Sequence, residues 1–283
     1  MTKEEHESLK IWFKDYIDRF RDGNGILHSM LELKQNHSIR VAENARLIAA
    51  SLNMPDSLQC LAEGIGLIHD VGRFTQFTDY GSFSDAVTVD HGAEGRRVLE
   101  AENLPFPCKP EDRELLLCSV EYHNKKVLDI PRGFSSGQEQ ILQLIRDADK
   151  LDIMNFILNS IASDGFRNLP TMLPHISLCR EISPEVLKEA RDTRSVSISN
   201  LRTTGDLLIM AATWFYDLNY QSTLHMAMQK NILLRIQREL PEAEAAGDVF
   251  GRIINTLFEE EADVCAEIQR GKMPDMPDKR LFS

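Results

Sequence analysis

Residues 55–72 read Pro55-Asp56-Ser57-Leu58-Gln59-Cys60-Leu61-Ala62-Glu63-Gly64-Ile65-Gly66-Leu67-Ile68-His69-Asp70-Val71-Gly72. Leu58, Leu61, Ala62, Ile65 and His69 recur at three- and four-residue spacing, which places them on one stripe of a helix over 55–70. Pro55 suits the first helical position, and Gly72 reads as a C-terminal stop. The stripe therefore carries an imidazole inward, with a carboxylate next to it.

The same spacing runs through most of the chain, so the fold class is all-α. A helix over 4–20 carries Ile11, Trp12, Tyr16 and Phe20 and stops before Gly23-Asn24-Gly25. Another spans about 26–52, and further helices are predicted at 90–102, 110–124 and 137–160. The segment 73–89, with Gly81, serines and several aromatics, reads as a loop. Beyond 165 the pattern loosens through Pro170 and Pro174, then returns at 184–192, 199–240 and 243–270, with a frayed tail after that. The expected organisation is an N-terminal helix over 1–25 packed on a core domain of 26–164. Residues 165–283 form a helical extension, expected as a substrate cover or subunit interface.

Of 283 residues, 42% are apolar and 27% charged, the profile of a globular chain with a sizeable core. A net charge of -12 repels polyanions, and no basic stripe offsets it, so no nucleic-acid polymer is expected as partner. A small phosphorylated ligand stays open, because a few cations beside a metal can offset the field locally. Five cysteines without a CxxC pair indicate reduced thiols. No continuous apolar run marks a signal or a membrane span, so a cytoplasmic location without membrane contact is expected.

Four of the eight histidines fall in or beside helices of the first 160 residues near carboxylates: His37, His69 with Asp70, His91 after Asp90, and His123. The other four are read as lacking such company. His37 continues the stripe Leu27, Met30/Leu31 and Lys34 toward Val41, Ala45, Ile48 and Leu52; His123 follows Val120 by three. A single histidine on an apolar stripe is ordinarily a satisfied core residue. Three inward imidazoles from three helices can converge, however, and burying them without a partner is costly. A shared metal supplies that partner, and imidazole with carboxylate suits zinc, manganese or iron.

Three segments make the reading specific: His37-Ser38-Ile39-Arg40-Val41-Ala42, Leu67-Ile68-His69-Asp70-Val71-Gly72-Arg73 and Asp147-Ala148-Asp149-Lys150-Leu151-Asp152. In that order, from about 26 to 160, they resemble the HD superfamily of metal-dependent phosphohydrolases. The resemblance implies that His37, His69, Asp70 and Asp149 bind one metal. On a helical wheel Asp152 lies only about 60° from Asp149, and Asp147 about 160°. Periodicity alone therefore leaves Asp152 open, and the choice of Asp149 rests on the resemblance. Two-metal members carry two more histidines between the HD pair and the last Asp, where His91 and His123 stand. The resemblance thus implies one or two divalent transition-metal ions, with Asp70 as the bridge.

Two such ions would hold a hydroxide and clamp a phosphoryl group, so hydrolysis of a phosphoester of a nucleotide or other small phosphorylated metabolite is expected. Asp70 and Arg73 are the expected catalytic residues. Arg73, Asn124 and Lys125 are candidate substrate contacts, Arg73 through a bidentate grip on phosphate. Arg96-Arg97, Lys126 and Lys150 read as solvated faces, and the aromatic stretch 210–220 as core or interface packing, compatible with a homo-oligomer. The His-His-Glu and Gly-Tyr-Pro signature of cyclic dinucleotide phosphodiesterases is absent; Glu121-Tyr122-His123-Asn124 stands there. Asp152-Ile153 also replaces the His-Asn of stringent-response hydrolases. Two other readings use the same ligands: a di-iron oxygenase cleaving a C–C or C–P bond, and a non-catalytic nucleotide-binding module.

Overall fold

The computed structural model describes residues 1–102, 109–126, 134–241 and 246–256. Among them there are twelve α-helices, a further helical stretch over 246–256 and no strand, only two isolated bridges. None of these helices is long and apolar enough to cross a membrane. The chain divides into two compact units, Met1–Pro174 with Tyr220–Met226, and His175–Asn219 with Ala227–Ser283. The first unit thus runs past the expected boundary at 165 and takes back a short later segment.

Helix α1 (Lys3–Asp18) opens with a capping box, in which Thr2 Oγ1 accepts from Glu5 N and Glu5 Oε2 from Thr2 N. Its buried stripe is Leu9, Trp12, Phe13, Tyr16 and Ile17. Ile11, expected on that stripe, is 63% exposed, because it stands two residues from Leu9 and from Phe13, on the far side of the helix. Helix α2 (Ser29–Ser51) packs along α3 (Asp56–Ile68). From Cys60 to Ile68 every α3 residue but Glu63 is buried, the pattern of a helix enclosed on all sides. Gly66 allows the close approach of α2, since a Cβ there would lie 3.0 Å from Ala42 Cα and 3.1 Å from Val41 O.

Gly72 does not stop a helix. It opens α4 (Gly72–Tyr80), so the first part of the expected loop 73–89 is helical. The apolar spacing Phe74–Phe77 is part of that helix, and Phe74 is fully buried against the rings of Phe13, Tyr16 and Phe20. The actual stop is Gly81, at φ 66°. Gly72 is needed for space: a Cβ would lie 2.3 Å from His91 O and 2.5 Å from Gly95 N. It lets α4 lie against α5 (His91–Ala101), which packs on α6 (Pro110–Tyr122). Helix α7 (Ser136–Asp164), ended by Gly165 at φ 71°, crosses both α2 and α3. The short α8 (Leu169–Met172) completes this run, with Leu169 fully buried.

The second unit contains α9 (Pro184–Thr193) and α10 (Thr204–Thr213), all ten residues of which are buried. Asp206 closes a capping box with Thr203 and also accepts from the backbone and hydroxyl of Ser183, tying α10 to the start of α9. The expected helix 199–240 is instead divided into α10, a 3₁₀ turn over Trp214–Asp217, α11 (Gln221–Gln229) and α12 (Ile232–Glu239). Leu218 takes an extended backbone and Asn231 a left-handed one, φ 51°, which breaks the run twice. Of the aromatic stretch 210–220, Phe215 and Tyr220 are buried packing residues.

Candidate metal centre

Five segments bring six side chains together. His37 lies mid-way along α2, His69 and Asp70 just beyond the end of α3, His91 at the first turn of α5, His123 just beyond α6, and Asp149 mid-way along α7. All four imidazoles and Asp70 are buried, and Asp149 is nearly so. The two oxygens of Asp70 face different partners. Oδ2 lies 3.6 Å from His37 Nε2 and 3.7 Å from His69 Nε2; Oδ1 lies 3.5 Å from His91 Nε2 and 3.7 Å from His123 Nε2. Asp149 Oδ1 joins the first set, 3.1 Å from His37 Nε2 and 3.7 Å from His69 Nε2.

Each ring is turned by a partner on its other nitrogen. His69 Nδ1 is 2.7 Å from Gly66 O, and His123 Nδ1 is 2.7 Å from Val120 O. A carbonyl can only accept, so both rings carry a proton on Nδ1 and leave Nε2 as a lone pair. His37 Nδ1 is 2.7 Å from Asp152 Oδ2, and His91 Nδ1 is 2.6 Å from Asp85 Oδ2. The result is a set of Nε2 atoms aimed at one another, 3.3 Å apart for His37 and His69 and 3.1 Å for His91 and His123.

These groups fit metal ions. Two ligands that share an ion through bonds of about 2.0–2.2 Å lie about 3.0–3.7 Å apart, the spacing seen within each set. Asp149 Oδ1 is buried without a hydrogen bond, an acceptor in want of a cation. His37, His69 and Asp70 form one candidate triad, Asp70, His91 and His123 a second, and His69, His123 and Asp149 an overlapping third. The carboxylate or carbonyl behind every ring is the support that metal-bound histidines ordinarily have.

The surrounding charges reinforce this. Burial opposes ionisation of Asp70, but the Lys34 ammonium, 2.7 Å from Oδ2, and the neighbouring imidazoles outweigh it and hold the carboxyl well below its usual range. Burial and then the Arg73 charge push His91 down to about 3, so its ring is neutral, the form that binds a metal. Lys34 and Arg73 flank Asp70 on either side and both lie over the Phe83 ring, at 5.5 and 5.7 Å.

The remaining candidates have occupied positions. Arg73 Nη1 donates to Gln76 Oε1, Phe83 O and Asp85 Oδ1 at 2.6–2.8 Å, while its Nε is 3.7 Å from Asp70 Oδ1. These bonds all engage Nη1, so a bidentate grip on phosphate would have to use the Nε–Nη2 edge. Lys125 pairs with Asp90, and Asn124 Nδ2 donates to Asp90 Oδ1 at 3.1 Å and lies 3.2 Å from His91 Nδ1. Asp90 in turn caps α5 through the amides of Gly92 and Ala93. Both side chains therefore brace the helix start that carries His91.

Sequence reading missed Asp85 and the part played by Lys34. Asp85 falls in an irregular segment whose placement depends on Arg73 and Gln76. Lys34 had a signal, three residues before His37 on the same face. The histidines read as lacking acidic company need one correction, since His6 stands between Glu5 and Glu7 in sequence and is buried 3.6 Å from Glu63 Oε1, a partner 57 positions away.

The sequence profile of the HD domain matches residues 35–154. No curated protein and no solved structure matches the chain significantly. The matched stretch begins before His37 and ends after Asp152, and so encloses all six convergent residues and the acid behind His37. Over residues 35–154 the chain thus matches the HD domain in sequence, and the six convergent side chains all fall within that match.

Proposed function

We propose that the chain is a metal-dependent phosphohydrolase that cleaves a phosphoester of a nucleotide or another small phosphorylated metabolite. The observation that carries this reading is the division of ligands between the two oxygens of Asp70: His37, His69 and Asp149 on one side, His91 and His123 on the other. Divalent ions held there would lower the proton affinity of bound water and neutralise charge on a phosphoryl group. Asp70 would bridge them, Asp152 and Asp85 would hold His37 and His91 in their ligating tautomers, and the two backbone carbonyls would do the same for His69 and His123.

Charge supports an anionic substrate. Asp70, Asp85, Asp149 and Asp152 are balanced in part by Lys34, Arg40 and Arg73, so divalent ions would leave the centre net positive within a strongly acidic chain. Lys34, whose Nζ lies 2.7 Å from Asp70 Oδ2 on a side chain 12% exposed, would take a phosphoryl oxygen. Arg73 would keep Asp85 and the Phe83 segment in place and present its free edge.

The test is anaerobic purification, metal analysis, and assay of a phosphoester panel with manganese or iron, with and without air. Metal-dependent release of phosphate or alcohol that needs no dioxygen is expected, and Asp70→Ala should abolish it. Turnover that requires dioxygen would transfer the site to the oxygenase reading. Metal binding without turnover in any condition would contradict both.

A further inference from the structure

The C-terminal unit holds a second cationic site, which shares no residue with the metal centre. A cavity of about 240 Å³ is lined by Arg191, Arg194, Tyr216, Arg252 and Asn255, among others, drawn from the end of α9, the 3₁₀ turn and residues 246–256. Three guanidiniums in one cavity stand out in a chain of net charge -12. One carboxylate answers them: Asp248 Oδ1 accepts from Arg252 Nε at 3.2 Å, and its Oδ2 lies 3.4 Å from Arg191 Nε. Asp248 thus holds two arginines by their inner nitrogens and leaves their terminal forks without an ion-pair partner among the described residues.

Arg194 is held differently. It sits at the left-handed residue that ends α9, φ 54°, with its guanidinium 5.3 Å from the centroid of the Tyr216 ring. No carboxylate among the described residues pairs with it. A cation kept over an aromatic face retains its donors for another group. Among the described residues the site therefore combines two arginines fixed by one acid and a third fixed by a ring, with two positive charges in excess.

We infer that this cavity binds a phosphoryl dianion, either free phosphate or the phosphate of a small ester. Arginine forks match phosphate oxygens bidentately, which lysine or neutral donors do not. The volume falls below the roughly 300–1,000 Å³ of drug-sized ligand sites. It has room for a phosphate with a short organic group. The global negative field argues against a polyanion such as nucleic acid.

The test uses the full chain, stripped of metal by chelator so that the HD site does not compete, titrated calorimetrically with inorganic phosphate and with phenyl phosphate at low ionic strength. Saturable binding is expected, weakened about tenfold or more in Arg194→Ala and in Arg252→Ala, because each loses a charge-assisted pair. Arg194→Lys, which keeps the charge but not the fork, should fall between. Arg97→Ala, which removes an exposed cation elsewhere, should bind like the parent, and unchanged thermal melts certify the folds. Tighter binding of phenyl phosphate assigns the cavity to an ester, and tighter binding of inorganic phosphate assigns it to the free anion. No saturable binding of either, or equal loss in Arg97→Ala, would overturn the inference.

Discussion

Asp149 and Asp152 lie one turn apart on α7, and the structure gives them different nitrogens of the same ring. Asp149 Oδ1 stands by His37 Nε2, while Asp152 takes His37 Nδ1 and Arg40, the latter through bonds of 2.6 and 3.0 Å. Helical spacing could not separate them, because both fall on one face of the helix. Only the ring's orientation, fixed by tertiary packing, makes one a candidate ligand beside Nε2 and the other the partner of Nδ1. The consequence is testable. Asp152→Asn should leave the chain folded and weaken metal binding by about 10–100-fold, as read by chelator competition; unchanged affinity would show that His37 needs no such support. Lys34 and Asp85 illustrate the same limit. The first was visible on the His37 stripe but not its approach to Asp70, and the second depends on bonds to Arg73 and Gln76 across an irregular segment.

At the scale of elements, the helices carrying His37, His69, His123 and Asp149 were legible because their apolar residues repeat at helical spacing. The glycine after the HD pair was not. A glycine reads equally as a stop or as a close contact, and at Gly72 the contact decides. Gly72→Ala should therefore cost about 1–3 kcal/mol or more through overpacking and displace His91. Its metal content should fall more than that of an alanine at Gly137, where a Cβ meets nothing within 4 Å. The start of α5 allows a second test. Burial opposes ionisation of Asp90, but Lys125, the Ala93 amide and Asn124 outweigh it and lower its pKa to about 2. A carboxylate depressed in the folded state adds stability that is complete above its unfolded value, about 3.9, and lost as the pH falls through about 2. Asp90→Asn keeps a capping oxygen but removes that titration, so its stability should change less between pH 4 and pH 2 than the parent's. Identical acid unfolding curves would remove Asp90 from the account.

For the whole molecule, the six candidate ligands come from positions 37 to 149, and the full set meets only once the helices have packed. Ions that bind only this arrangement stabilise it by mass action, by about 2.7 kcal/mol at a free concentration of one hundred times Kd. Chelation should therefore lower the melting temperature, and readdition of metal should restore it, while Asp70→Ala should melt at one temperature with or without chelator. The sequence showed the helical class and the loosened pattern near 165, but not that Phe166 and Leu169 are buried in the first unit or that Tyr220 returns to it. Those placements rest on contacts such as Phe166 against Phe156 and Tyr220 N on Asp147 Oδ2, made by residues that carry no periodic signal of their own. The claim on which the account turns is that Asp70 joins two ligand sets around metal. The most direct measurement is the metal content per chain of anaerobically purified parent, His91→Ala and Asp70→Ala proteins. The expected result is two ions in the parent, about one in His91→Ala and almost none in Asp70→Ala. Full metal retained in Asp70→Ala, or none in the parent after loading with manganese or iron, would contradict it.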